Sequence, residues 1–105
     1  MSQFNNVAVD VAANVYFDGG VISRSVHFAD GSHKTLGVAF PGEYQFTTAV
    51  EELMEFSSGK VEVLLPAESA WQTITAGMSF TVPAGATFHL RVHSISDYCC
   101  SYARQ

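Results

Sequence analysis

Turn-forming residues break this chain about every 8 to 12 residues, and the stretches between the breaks alternate apolar with polar side chains. The breaks are Asp18-Gly19-Gly20, Asp30-Gly31-Ser32, Pro41-Gly42, Ser57-Ser58-Gly59, Pro66-Ala67-Glu68-Ser69, Thr75-Ala76-Gly77 and Pro83-Ala84-Gly85. Proline presets the first turn position and glycine accepts the left-handed geometry that follows, so each break has a mechanical cause. Short half-buried strands joined in this way close as a sandwich or a barrel, which makes the chain all-β, with about nine or ten strands. One segment is ambiguous. Thr48 and Glu51 have the spacing of a helix capping box. The run from Thr47 to Phe56 is short, however, and lies between strands, so it reads as a bend followed by a strand.

At 105 residues the chain is one domain, and residues 1–13, which show no period, read as a loose arm or an added edge strand. Apolar residues make up 48% of the chain and charged residues 14%, which excludes intrinsic disorder. No apolar run reaches the roughly 18 residues that a membrane-spanning helix needs. The first residues lack a basic stretch followed by an apolar one, so a cytoplasmic protein is expected. Cys99 and Cys100 are neighbours that a strand would point in opposite directions, and two reduced thiols are expected.

The net charge is −5, and the fixed cations are Arg24, Lys34, Lys60, Arg91 and Arg104. A nucleic-acid polymer, held through many phosphate contacts, is a poor partner for such a surface. An anionic small molecule would have to be held from those five residues and the four histidines, His27, His33, His89 and His93. The stretch from Gly77 to His89 stands out here. A PAG turn delivers a strand, Phe88-His89-Leu90-Arg91-Val92, on which His89 and Arg91 share one face. Arg24, on an otherwise apolar strand face, and Lys34, on the side of Leu36, are the competing cations.

Gly77, Pro83 and Gly85 with a nearby histidine resemble the second sequence motif of the cupins, small jelly-roll-like double-sheet β-barrels. Glu52, six intervening residues and Gly59 are similar to the end of the first cupin motif. The resemblance implies a single cupin domain over residues 14–105. Metal-binding cupins use two histidines one residue apart, that glutamate and the second-motif histidine. Here Phe46, Thr47 and Thr48 occupy the region of the histidine pair, and His89 falls one residue late, a shift that reverses facing on a strand. No metal is expected.

More specifically, Pro41-Gly42-Glu43-Tyr44-Gln45-Phe46-Thr47-Thr48, Val63-Leu64-Leu65-Pro66, Trp71-Gln72, Phe80-Thr81-Val82-Pro83, Phe88-His89-Leu90 and Tyr98-Cys99-Cys100-Ser101-Tyr102 resemble the small pyrimidine/purine nucleoside phosphorylases. That resemblance runs from about Asn14 to Tyr102. It implies a homodimeric cytoplasmic enzyme that splits diverse nucleosides with inorganic phosphate, without a cofactor, to free base and α-D-ribose 1-phosphate. A non-catalytic small-molecule-binding cupin is the alternative, and a metal-dependent oxygenase or isomerase a weaker one.

Phosphorolysis needs an anion site, groups for the sugar hydroxyls, a flat apolar slot for the base and stabilisation of charge on the departing base. His89 and Glu52 are the catalytic candidates. Arg91, Lys34, Thr47 and Thr48 are candidates for phosphate, and Tyr44, Phe46, Phe80 and Phe88 for the nucleoside, with Trp71 a further aromatic.

Overall fold

The structure, a computed structural model, describes residues 3–104. Eleven strands run in chain order: β1 (Ala8–Val9), β2 (Asn14–Tyr16), β3 (Val21–His27), β4 (His33–Ala39), β5 (Gly42–Thr47), β6 (Glu52–Phe56), β7 (Lys60–Leu64), β8 (Gln72–Thr75), β9 (Ser79–Val82), β10 (Thr87–Val92) and β11 (Ser96–Tyr102). A single 3-10 turn, Phe17–Gly19, joins β2 to β3. The all-β expectation holds, and the ambiguous Thr47–Phe56 run is a bend followed by β6. Among the described residues no helix is long and apolar enough to cross a membrane.

All pairings are antiparallel. One sheet has the order β1-β3-β4-β11-β6-β9, with β2 also on β3, and the other has the order β5-β10-β7-β8. Their inner faces meet over a core that includes Phe56, Val61, Val63, Ile74, Phe80, Phe88 and Leu90.

Local chemistry explains the two cupin-like motifs. The Thr48 hydroxyl, which a helix would have used as a cap, donates to the Pro83 carbonyl at 2.6 Å and accepts from the Ala86 N–H at 3.1 Å. It thereby ties β5 to the PAG turn. Gly59 has φ +87°, and a side chain there would run into Ser96 and the Ile95 carbonyl, so the turn before β7 demands glycine twice over.

In β4 the alternation points the other way from a simple hydrophobic reading. Thr35, Gly37 and Ala39 face inward and are buried, while Leu36 is 44% exposed on the outer face. The reason lies next door. β11 fills the interior with Tyr98, Cys100 and Tyr102, so β4 has room only for small inward side chains. The outer face of the same sheet holds a groove of about 910 Å³ lined by Phe4, Leu36, Val38, Met78 and Cys99 together with Lys34, Glu55 and Asp97. Both thiols are free, Cys100 buried and Cys99 half-buried.

Candidate functional site

One end of the barrel interior is apolar and the other is polar. At the polar end β11 presents Tyr98, Cys100 and Tyr102, β4 presents Thr35, β3 presents Ser23 and Ser25, and β6 presents Glu52. These groups are wired together. The Cys100 thiol donates to Glu52 Oε1 at 3.4 Å, and the Tyr102 and Thr35 hydroxyls are 3.0 Å apart. Asn14 Nδ2, from β2, donates to the Ser23 and Ser25 hydroxyls, each at 3.3 Å.

Burial pushes the Glu52 carboxyl up, against the thiol bond from Cys100, which pulls it down. Tyr98, Cys100 and Tyr102 are all pushed well up, mainly by burial and further by the Glu52 charge. All three keep their protons at neutral pH. The cluster is therefore one half-buried carboxylate set among neutral O–H and S–H groups, which suits a neutral polyhydroxylated molecule.

A chain of aromatic contacts runs from β10 through β5 to β2. Phe88 lies 5.4 Å from Phe46 with the rings 21° from parallel. Phe46 in turn meets Phe17 edge-on at 5.4 Å and Tyr16 at 6.5 Å, at the seam between β2 and β5. Phe17 and Asp18 have φ of +52° and +54°, an uncommon conformation for consecutive non-glycine residues. Packing of the Phe17 ring against Tyr44 and Phe46 holds it.

The residues expected from the sequence divide between this site and the outside. Glu52 belongs to the polar cluster, while Phe46 and Phe88 stack on each other and Phe88 is part of the core. His89 and Arg91 share a face, as expected, but it is the outer face of the four-stranded sheet, because Phe88, Leu90 and Val92 take the interior. The one-residue displacement of His89 puts Phe88 where a cupin would place its inward histidine. The Arg91 guanidinium stacks 3.9 Å above the Trp71 ring and lies 3.7 Å from Glu43. Lys34 points off the outer face of the other sheet, over Phe4 and Phe28, at 5.5 and 5.9 Å. Arg91 and Lys34 therefore cannot clamp one phosphate.

Thr47 is exposed and bonds Thr87, and the Thr48 hydroxyl is spent on the PAG turn. Tyr44 closes the seam by donating to the Phe40 carbonyl at 2.7 Å, and Phe80 sits in the core between Phe56 and Phe88. Sequence reasoning missed Asn14, Ser23, Thr35, Tyr98, Cys100 and Tyr102. The only local signal was the alternation of Tyr98, Cys100 and Tyr102, which reads equally well as core. Among the described residues no three His, Cys, Asp or Glu side chains converge as a metal ion would require, so the residues do not fit the metal site of metal-binding cupins.

Comparison with known proteins follows the same lines. The sequence profile of the family described as pyrimidine/purine nucleoside phosphorylase matches residues 11–102. A protein of that description from Hydrogenovibrio crunogenus is 59% identical over 97% of this chain and 98% of its own. A solved structure of a protein of unknown function from Acinetobacter sp. ADP1 superposes with a TM-score of 0.94 at 39% identity, covering 96% of this chain and 98% of that one. A cupin superfamily protein from Desulfitobacterium hafniense shares the fold at 10% identity, with a TM-score of 0.64 over 80% of this chain and 78% of that one.

Proposed function

This chain belongs to the pyrimidine/purine nucleoside phosphorylase family, and from that membership we propose that it cleaves purine and pyrimidine nucleosides with inorganic phosphate at the polar end of its barrel. The products are the free base and α-D-ribose 1-phosphate. One observation supports this placement above the others: a half-buried carboxylate, Glu52, stands among protonated hydroxyl and thiol groups.

In this reaction an oxygen of hydrogen phosphate bonds to the anomeric carbon as the carbon–nitrogen bond breaks and its electron pair leaves on the base, which ends with the proton that the phosphate gives up. The sugar carries oxocarbenium character between the two events. Glu52, as a carboxylate, accepts hydrogen bonds from ribose hydroxyls and stabilises that positive charge. Tyr98, Tyr102 and Thr35 supply further hydroxyls for the sugar. The base lies against the half-buried Phe46, which Phe88 backs from the core, with Tyr16 and Phe17 at its outer edge. Aromatic faces grip any flat ring alike, which accounts for acceptance of both purines and pyrimidines. No step calls for a metal.

The test is chromatographic. EDTA-treated protein incubated with uridine or inosine should release base and ribose 1-phosphate together, and only when phosphate is present. Base release in its absence would make the protein a hydrolase, and no turnover would favour a binding cupin.

A homodimer forms part of the same proposal, through the apolar residues of the groove on the outer face of the larger sheet, where Leu36 and Met78 are each 44% exposed. Light scattering on the purified protein should give twice the 11.4 kDa chain mass. A Leu36→Glu, Met78→Glu variant should give the chain mass itself, and a dimer that survives those changes uses another face.

A further inference from the structure

We infer that His33 is the phosphate-binding donor of this barrel, an assignment that rests on the phosphorolysis reading and names a residue within it. A phosphate oxyanion needs charged or strongly polar donors. The chain has five Lys and Arg and four His from which to draw them.

Most of these point away from the polar end. Arg24 is exposed on the outer face opposite Leu36, and Lys34 lies over Phe4 and Phe28. Lys60 is exposed at the far end, where β7 begins. Arg91 is on Trp71, His89 shares its outer face, and His93 bonds Glu62 at 2.7 Å. Three remain: His27, His33 and Arg104.

Two of the three already hold a carboxylate. His27 Nε2 is 3.0 Å from Asp10, and Arg104 donates to the Asp30 carbonyl at 2.6 Å and lies 3.2 Å from its carboxylate. His33 makes no side-chain hydrogen bond or ion pair among the described residues. Its ring lies flat on Tyr102, centroids 4.8 Å apart and planes 13° from parallel, with His27 at 6.1 Å on the other side. The stack fixes the ring and leaves its edge nitrogens for a ligand.

A cleft of about 520 Å³ opens at this point, lined by His33, Tyr102 and Arg104 among others. Tyr102 is part of its lining, and the Tyr102 hydroxyl reaches Thr35 and the surroundings of Glu52. Phosphate held by His33 in this cleft would thus stand next to the sugar site. Arg104 adds a fixed positive charge, since its guanidinium has five N–H donors and Asp30 does not exhaust them.

Steady-state phosphorolysis of inosine, with phosphate and nucleoside varied separately, tests this in wild type, His33→Ala, His33→Arg and Arg91→Ala. Removing the imidazole should raise the phosphate KM about 10- to 100-fold, the loss of one charge-assisted hydrogen bond, with nucleoside KM within about twofold. His33→Arg should restore phosphate KM to within a few-fold of wild type, and Arg91→Ala should leave both constants unchanged. Inorganic phosphate alone should raise the melting temperature of wild type and His33→Arg but not of His33→Ala. His33 is exposed, so its replacement leaves the core intact. An unchanged phosphate KM in His33→Ala, or phosphate and nucleoside KM rising together, overturns the assignment. Base release by wild type without phosphate would instead overturn phosphorolysis itself.

Discussion

Replacing Glu52 by glutamine is expected to cut kcat by about 10²- to 10⁴-fold and, at neutral pH, to raise the melting temperature. The two halves of this prediction have one cause. A carboxylate half-buried among hydroxyls is costly to ionise, which is why burial lifts the Glu52 carboxyl above its ordinary value. The folded chain then binds the Glu52 proton more tightly than the unfolded chain does. Stability from this group is fully present below the unfolded value near 4.5 and is lost as pH rises through the higher folded value. At pH 7 the ionised side chain is a net cost to the fold, and the amide of glutamine removes it while still accepting the Cys100 thiol. Catalysis needs that charge, because the sugar becomes positive as the base departs. Melting curves of both proteins between pH 4 and pH 8 should diverge as pH rises, with the variant above. Wild-type turnover in Glu52→Gln would remove Glu52 from the reaction, and a lower melting temperature at pH 7 would mean that its charge is paired rather than exposed to desolvation.

That arrangement also explains why the fold could be read from the sequence more fully than the site. Turns announce themselves locally: Pro83-Ala84-Gly85 and Ser57-Ser58-Gly59 dictate backbone geometry whatever surrounds them, and alternation follows from the strand period. Facing is different. A strand has two faces, and which one meets the other sheet is a tertiary property. On β10 the polar pair His89 and Arg91 looked like the business side, yet Phe88, Leu90 and Val92 hold the interior. On β4 the apolar parity is the outer one, because the large inward residues come from β11. Arg91 looked like an uncommitted cation because its stacking partner, Trp71, precedes β8 and is brought beside it only by sheet formation. His33 is one of four histidines in the sequence, and nothing near it in the chain announces that Tyr102, far along, lies flat against it. Glu52 was legible for another reason, since its motif spacing to Gly59 survives independently of facing.

Gly37→Ala should be among the most damaging single-methyl changes this chain can suffer, costing about 1–3 kcal/mol and lowering the melting temperature by about 5 to 20 °C. Gly37 lies in mid-strand with no left-handed backbone to protect, so conformational freedom is not at issue. Space is. A methyl group there would overlap the Tyr98 ring and its hydroxyl, and Tyr98 is itself buried. The ring has little room to retreat, because Phe56 packs 5.9 Å away on another side. Any shift also moves Cys100 and Tyr102, its neighbours along β11, and with them the contacts to Glu52 and Thr35. Activity should therefore fall further than loss of folded protein accounts for. A double-mutant cycle isolates the cause. In a Tyr98→Ala background the cost of Gly37→Ala should nearly vanish, since the obstructing ring is gone. An equal cost in both backgrounds would mean that β4 itself, and not its packing against Tyr98, requires glycine.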